Sequence, residues 1–283
     1  MRPVVMTILV IILVLSGIAI TIGKLSQERE ALRREHGPGA VIPIAVAKIV
    51  SLDFKGIFSD TVFFKGLMYY GGKVIHHEAI TEDEWEWFYR SMVVATDLDP
   101  YFIDPYYLGS INLAWQANKV DEANALLEKG MRARTWDWTL PYYLGFNYFY
   151  FKHDNVKSAH YLMEAAKRPG GSGGLVPTLA ARLAHAGGET ESAVAFLGEV
   201  LSKTHDESTR YIYGMRLNAL KRALYLERAT ERFRKRFGRL PRHIEELVTQ
   251  GIIRQIPQDP YGGTFYITSG GMIKTTSNFM VTQ

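Results

Sequence analysis

Histidine and acidic residues that stand together are the first candidates for chemistry in this 283-residue chain. His76-His77-Glu78 offers two imidazoles and a carboxylate, which are side chains that bind zinc. A zinc-binding helix needs its second histidine four residues after the first, and the eight histidines of this chain are otherwise scattered. We therefore expect these histidines to be solvated or structural, and we predict no metal site.

Phosphate binding and thiol chemistry are the next possibilities. The glycine-rich stretch RPGGSGG at residues 168–174 could suggest a phosphate loop, but no lysine follows it and no predicted strand precedes it. The absence of cysteine excludes disulfides, thiolate metal sites, a cysteine nucleophile and a cysteine-linked lipid. The sequence thus predicts a non-catalytic protein without a cofactor.

Charge is distributed unevenly, although the formal net charge is only +4. Residues 78–104 carry eight acids and one base, whereas residues 210–242 carry eleven bases and two acids. Apolar residues recur at spacings of three and four along the basic run, which predicts an amphipathic helix. Its basic surface comprises Arg232, Arg234, Lys235 and Arg236. This surface is either simply solvated, or contacts anionic lipid or an acidic protein such as a second copy; nucleic acid is not expected.

An internal repeat indicates which elements hold these residues. The string Pro-Tyr-Tyr-Leu-Gly occurs at residues 105–109 and again at 141–145, and a third proline follows at Pro177, each 36 residues apart. Each unit continues with an apolar helix, a polar turn and a second helix, and the three turns fall at residues 118–119, 153–155 and 187–188. The second helices share a series of small, large and small residues: Ala123, Leu127, Gly130; Ala159, Met163, Ala166; and Ala193, Leu197, Val200.

Spacings of four and three place each series on one helix face, where small residues let a neighbouring helix approach closely. On these residues the chain resembles the tetratricopeptide repeat family, over roughly residues 66–205. An earlier unit with Phe88, Met92, Ala95 and Pro100 fits the same spacing. The 36-residue periods and Pro177, where an aromatic is usual, depart from the family pattern. A generic array of helical hairpins is the alternative.

The resemblance implies a concave groove along the first helices, suited to an extended peptide whose backbone and carboxylates can be hydrogen-bonded. It places six side chains there: Asn112, Gln116, Tyr148, Lys152, Arg182 and His185. The alternative is that these positions are polar only because they are exposed.

Residues Val4 to Ile22 contain no charge and are long enough to form one transmembrane helix. The alternative is a cleaved signal peptide, although 19 apolar residues exceed the usual length of such a segment. Lysine and arginine counts would keep the body in the cytoplasm, whereas a short basic amino terminus before one span commonly exports it. We predict a single-pass protein of a bacterial-type inner (plasma) membrane with a periplasmic body.

The pattern of the carboxy-terminal segment predicts a turn and strands instead of helices. Residues 264–268 and 272–276 form a β-hairpin candidate after a rigid turn. That turn, Asp259-Pro260-Tyr261-Gly262-Gly263, is similar to the tail of type II secretion pseudopilins, in which Asp-Pro-Trp-Gly leads into a small sheet. The similarity covers residues 256–277 only. Pseudopilins bind calcium through a later acidic loop, but no acid follows Asp259, so no metal site is carried over.

The sequence therefore predicts an all-α helix–turn–helix solenoid with four parts. These are an anchor and stalk (1–36), tetratricopeptide-like repeats (40–205), a basic helical extension (206–250) and a turn with a β-hairpin cap (251–283). The expected function is a scaffold or assembly protein of the cell envelope, in a secretion, pilus or export apparatus. The alternative is a peripheral enzyme accessory or hydrolase with a site in residues 54–90.

Overall fold

The computed structural model describes residues 11–25 and 38–280, which are mostly helical. The chain divides into two compact units, one up to Asp99 and one from Pro100 onwards. The division falls inside the predicted 40–205 array. The predicted all-α class is therefore confirmed in its coarse form, with a small two-stranded sheet near the carboxy terminus.

The predicted membrane helix is only partly within the described residues. Residues 4–10 and most of the predicted stalk lie outside them. Residues 11–25 are helical and exposed. Across residues 11–25 and 38–280, no helix is both long and apolar enough to cross a bilayer.

The first unit is built on a helical hairpin preceded by a short helix. Its helices are α1 (Ile44–Val50), α2 (Lys55–Ile75) and α3 (Glu82–Leu98). Thr81 starts α3 with a capping box: its hydroxyl accepts from the Glu84 backbone N–H while the Glu84 carboxylate accepts from the Thr81 N–H. A Cβ on Gly66 would lie 2.8 Å from the end of the Met92 side chain, so the small residue allows α2 and α3 to cross closely.

The second unit is a succession of helices in which each packs against the next. Its first helices are α4 (Ile103–Ile111), continued by a π-helical turn (Asn112–Gln116), α5 (Val120–Ala133), α6 (Thr139–Tyr150), α7 (Asn155–Lys167), α8 (Val176–Ala186) and α9 (Thr190–Lys203). The three predicted polar turns are confirmed. Each contains a residue with positive φ, namely Asn118, His153 and Gly188 at +54°, +52° and +86°. This left-handed conformation ends one helix and redirects the chain into the next.

The small residues of the repeat occupy the crossing points of the helices. A Cβ on Gly130 in α5 would lie 2.9 Å from the ring of Tyr106 and from Cδ1 of Leu140, which belong to the preceding and following helices. A Cβ on Gly145 would lie 2.8 Å from Leu162 in α7. In the second small–large–small series, Leu162 is fully buried in the core, whereas Met163, the predicted large residue of the series, is only half-buried.

Arginine side chains lock successive hairpins together. The guanidinium of Arg134 donates to the carbonyl of Tyr101 in the preceding connection and pairs with Asp137 at 2.9 Å. Arg168, at the end of the next hairpin, donates to the carbonyls of Arg134 and Asp137 at 3.0 and 2.9 Å. Because these bonds fix one hairpin on the next, they hold the surfaces of α4 and α6 in a set geometry.

The remaining elements form an extension and a cap. They are α10 (Glu207–Phe237), α11 (Glu246–Thr249), β1 (Phe265–Ile267) and β2 (Ile273–Thr275). The strands pair antiparallel with Tyr266 opposite Lys274, which confirms the predicted hairpin. Gly238, at φ +67°, ends α10 in the left-handed conformation that favours glycine.

Two buried polar side chains attach the cap to the helices and to itself. Arg216 of α10 donates from Nε to the Tyr261 hydroxyl at 3.1 Å and from Nη2 to the Phe279 carbonyl at 2.5 Å. Its guanidinium also lies over both rings, 5.0 and 5.4 Å from their centroids. Asp259 accepts from the Tyr261 N–H and from the Thr275 and Ser277 hydroxyls. The Asp-Pro-Tyr-Gly-Gly turn thus has a structural role in this chain.

Candidate functional site

An exposed cluster of aromatic rings lies on α6 and the π-helical turn of the second unit. Trp115 and Tyr150 have ring centroids 4.9 Å apart and are 47% and 49% exposed, respectively. Phe146 stacks on both, at 6.1 Å from Trp115 and 5.8 Å from Tyr150, and Phe151 meets Trp115 edge to face. We call Trp115, Phe146, Tyr150 and Phe151 the aromatic cluster.

Trp115 is exposed because it lies nine residues after the buried Tyr106, which is about 180° around the helix. The Ala117 N–H bonds to the Asn112 carbonyl five residues earlier, which widens the helix by one residue. Leu113 and Ala114 lie on the same face as Tyr106 and are buried, while Trp115 is at the surface. Such insertions in helices occur frequently at functional sites. We considered only polar side chains for the groove and so missed Trp115, although its helical spacing from Tyr106 already predicts exposure.

A second pair of aromatic residues links the same two helices. Tyr107 and Tyr143 are equivalent residues of the 36-residue repeat, and their hydroxyls lie 3.2 Å apart with ring centroids 5.0 Å apart. Burial, followed by the hydrogen bond to Tyr107, raises the pKa of Tyr143, so this phenol stays neutral. Their contact aligns α4 with α6 and fixes the spacing of the aromatic cluster.

Two of the six predicted groove residues border the aromatic cluster. Gln116 and Lys152 directly follow Trp115 and Phe151 in the chain, and both are exposed. Lys152 forms an ion pair with Asp121 at 2.7 Å. Its charge is therefore partly compensated.

The structure does not bring the other predicted residues to this cluster. Asn112 donates to the Leu108 carbonyl of its own helix. Tyr148 lies about 200° around α6 from Phe146, where its ring stacks on Tyr161 instead. Arg182 is half-buried on α8.

His185 is buried and does not enter an open groove. It is only 7% exposed, and its ring lies 5.1 Å from that of Phe279 in the cap. Its Nδ1 is 2.8 Å from the Thr190 hydroxyl, which donates to Glu227 at 2.6 Å. The placement in a groove is thus corrected: this histidine belongs to the junction of α8, α9, α10 and the cap.

Because His185 is buried, we expect the protein to lose stability measurably in acid. Burial, with the nearby charge of Lys274 and then that of Arg216, lowers its pKa from 6.5 to about 4, against a hydrogen bond to the Ile273 backbone. Below pH 6.5 the unfolded chain therefore binds more protons than the folded chain. The contribution of neutral His185 to stability is fully present above pH 6.5 and is lost as the pH falls towards 4. The loss is about 3 kcal/mol. Burial raises the pKa of Glu227, which acts in the opposite direction.

Urea unfolding at pH 7 and at pH 4.5 of the natural chain and of His185→Gln measures this effect. We expect the loss on acidification to be about 2 kcal/mol smaller in the variant, because glutamine does not titrate. An equal loss in both chains would show that other groups cause it.

The polar groups of a network in the first unit bond to one another. Lys73 lies 2.9 Å from Glu84, which also accepts from the Tyr69 hydroxyl and the Thr81 N–H. Burial opposes ionisation of Glu84, but these donors outweigh it and hold its pKa at about 2. A carboxylate so fully occupied with partners stabilises the capping box of α3 and is not poised to transfer protons.

Aromatic packing occupies much of residues 54–90, the region of the enzymatic alternative. Trp85, Trp87 and Phe88 are buried, and the ring of Tyr70 packs against two of them. A groove of about 1020 Å³ lies beside α3, between that helix and residues 38–44. Four acids line this groove, Asp83, Glu84, Glu86 and Asp97. Glu86 is paired with Arg90 at 2.7 Å and Glu84 with Lys73 at 2.9 Å.

The glycine-rich stretch at residues 168–174 is a loop between two helices. Ser172 has the spacing of a nucleophile elbow, with glycines two residues before and after it, but no strand leads into the loop. Instead, the Ser172 and Gly174 carbonyls accept from the buried Tyr213 hydroxyl at 2.8 and 3.0 Å. Within residues 11–25 and 38–280, no three histidine, aspartate or glutamate side chains are grouped so as to hold a metal.

The predicted basic surface is exposed at the end of α10. Arg234 and Lys235 share Glu231, at 2.9 and 3.9 Å, while Arg236 lies over the ring of Phe237. The carboxy-terminal turn of a helix favours cations, because its free carbonyls carry partial negative charge. Local electrostatics thus account for part of the basic surface.

Comparison of the whole chain with protein-family models, with curated proteins and with solved structures finds no match.

Proposed function

We propose that this protein is a non-catalytic scaffold of tetratricopeptide type that binds an extended peptide of a partner protein on the aromatic cluster. The observation that carries the proposal is the exposure of Trp115 and Tyr150 on a rigid frame. Tryptophan and tyrosine supply much of the binding energy at protein interfaces, because they bury a large area with few rotatable bonds.

The frame supports this proposal as well. The Tyr107–Tyr143 contact and the bonds of Arg134 and Arg168 tie the hairpins together before any ligand binds. A preorganised surface loses little conformational entropy on binding, so more of the contact energy becomes affinity. Gln116 and Lys152 at the margin offer hydrogen bonds to a peptide backbone.

Attachment to an inner membrane of the bacterial type, with the body on the periplasmic side, is part of the proposal. Residues 11–22 are uncharged, largely apolar and exposed, and they continue an uncharged stretch that begins at Val4. A scaffold held there could gather components of a secretion, pilus or export apparatus. The closed Lys73–Glu84 network and the aromatic packing around Trp85 favour this reading over an enzymatic site in residues 54–90.

Removing the two exposed rings should weaken partner capture. We expect the double variant Trp115→Ala, Tyr150→Ala to reduce capture at least about 30-fold, since loss of a binding hot spot costs 2 kcal/mol or more. A photo-crosslinking amino acid at Gln116 in the full chain, expressed in its native cells, would report the partner as a covalent adduct identified by mass spectrometry.

The matched control is Trp136→Ala, because Trp136 is also exposed, at 51%, but stacks on Tyr101 away from the cluster. The control should keep the adduct. If the double variant gave the same adduct yield as the natural chain, while both remained folded, the aromatic cluster would not be the binding surface.

A further inference from the structure

A straight row of exposed residues runs along α10 opposite its buried face. Lys221, Tyr225, Arg228, Arg232 and Lys235 are all exposed and follow one another at spacings of four and three. At 100° per residue these positions fall within an arc of about 80°, and the row is about 21 Å long. We call these five residues the basic stripe.

The other side of α10 is committed to the core. Leu220, Ala223, Leu226, Ala229 and Phe233 are fully buried, and they belong to the same cluster as the cap. Packing therefore fixes the rotation of α10 about its axis. The basic stripe cannot turn inward, so it is a permanent feature of the surface.

Much of the charge of the stripe is uncompensated. Lys221 and Arg232 form no ion pair with any described residue, and Lys235 is 3.9 Å from Glu231. Arg228 pairs with Glu191 at 2.9 Å, but its side chain remains 62% exposed. The helix dipole favours cations only in the last turn, so it does not explain Lys221 and Arg228 in the middle of the helix.

We propose that the basic stripe binds the surface of a lipid bilayer that contains anionic phospholipid headgroups. Charge complementarity identifies the occupant: four cations along one face of a helix, at spacings of seven, four and three residues, can meet headgroup phosphates along a plane. Tyr225 stands in the middle of the row, 44% exposed, and tyrosine is favoured at the membrane–water interface. The inference rests on the proposed membrane attachment but not on peptide capture.

The absence of cysteine makes a site-specific test possible in the full chain. Gly214 lies on the face of the stripe two turns before Lys221, and a Cβ there meets nothing within 4 Å. Gly198 in α9 is a matched helical glycine that also has open space. A polarity-sensitive fluorophore on Gly214→Cys or on Gly198→Cys can be compared in vesicles of phosphatidylcholine alone and with phosphatidylglycerol.

The Gly214 probe should brighten at least about twofold when phosphatidylglycerol is present and return to its starting value in about 0.5 M salt, because screening weakens surface attraction. It should not respond to phosphatidylcholine alone. The Gly198 probe should stay constant. A response of both probes, or of the Gly214 probe to phosphatidylcholine alone, would overturn the proposal.

Charge reversal provides the second arm. Lys221→Glu with Arg232→Glu should weaken the phosphatidylglycerol response at least about tenfold, since each cation near the surface contributes about a fivefold factor. Lys167→Glu with Lys203→Glu, at exposed positions on α7 and α9, is the matched control and should respond like the natural chain. Equal responses of the two double variants would refute the assignment.

Soluble polyglutamate tests the other possible ligand of the basic stripe, an acidic protein. If it brightened the Gly214 probe while phosphatidylglycerol vesicles did not, the stripe would bind an acidic protein and the lipid proposal would be wrong. The crosslinking at Gln116 is a separate measurement, so failure of lipid binding and failure of peptide capture can be told apart.

Discussion

Replacing Gly130 by leucine is expected to lower the free energy of unfolding by about 3 kcal/mol, because the added side chain would overpack the joint between α4, α5 and α6. Its first carbon alone would lie 2.9 Å from the ring of Tyr106. That ring is fully buried, and its hydroxyl donates to the Pro100 carbonyl, so it cannot move aside. Urea unfolding followed by circular dichroism measures the change.

Gly198→Leu is the control for this prediction. Gly198 also lies inside a helix, but its Cβ position is open, so leucine should keep or raise stability, by up to about 1 kcal/mol, through its better helix propensity. The contrast separates packing at the joint from helix propensity. Equal unfolding energies for the two variants would mean that the crossing at Gly130 is looser than the structure indicates.

Replacing Asp259 by alanine is expected to release the cap, with a loss of about 3 kcal/mol. The carboxylate is 6% exposed and accepts from the Tyr261 N–H, the Thr275 hydroxyl and the Ser277 hydroxyl. Alanine would remove the acceptor shared by these three buried donors, and only the Thr275 and Ser277 hydroxyls, 3.3 Å apart, could still bond to each other. Gly263 adds to the effect, since a Cβ there would lie 2.6 Å from the Ser277 nitrogen, so the turn has little room to rearrange.

Hydrogen exchange can localise this loss. Amides of β1 and β2 should exchange much faster in Asp259→Ala, while those of α5 and α6 should keep their protection. Asp121→Ala is the control, because Asp121 is 82% exposed in its pair with Lys152 and should contribute less than about 1 kcal/mol. Unchanged exchange in β1 and β2 would show that Asp259 does not hold the cap.

Much of the helical framework could be predicted from the sequence because its causes are local. The turns lie where the repeat predicts them, and in the structure Asn118, His153 and Gly188 adopt positive φ there. The β-hairpin candidate is also confirmed, since alternating apolar residues and a glycine turn specify it over a dozen positions. The division of the chain after Asp99, inside the predicted 40–205 array, was not predicted.

The candidate site was predicted less well. Only polar side chains were considered for the groove, so the exposed Trp115 was missed although its spacing from the buried Tyr106 predicts exposure. Tyr148, predicted to face a groove, stacks on Tyr161 on the opposite side of α6 from Phe146. His185, predicted to be exposed, is covered by a cap whose docking position is set by the distant Arg216. Membrane attachment and peptide capture stay predictions.

By itself, the sequence determined the helical class, the positions of the turns, the small residues at the crossings and the basic character of α10. These properties depend on residues a few positions apart and on backbone preferences. Only the tertiary structure decided which side chains remain exposed to solvent. The Tyr107–Tyr143 contact, the bonds of Arg168 and the packing of Phe279 on Arg216 join residues more than 30 positions apart. Such contacts depend on how whole helices pack, and a local pattern does not encode that packing.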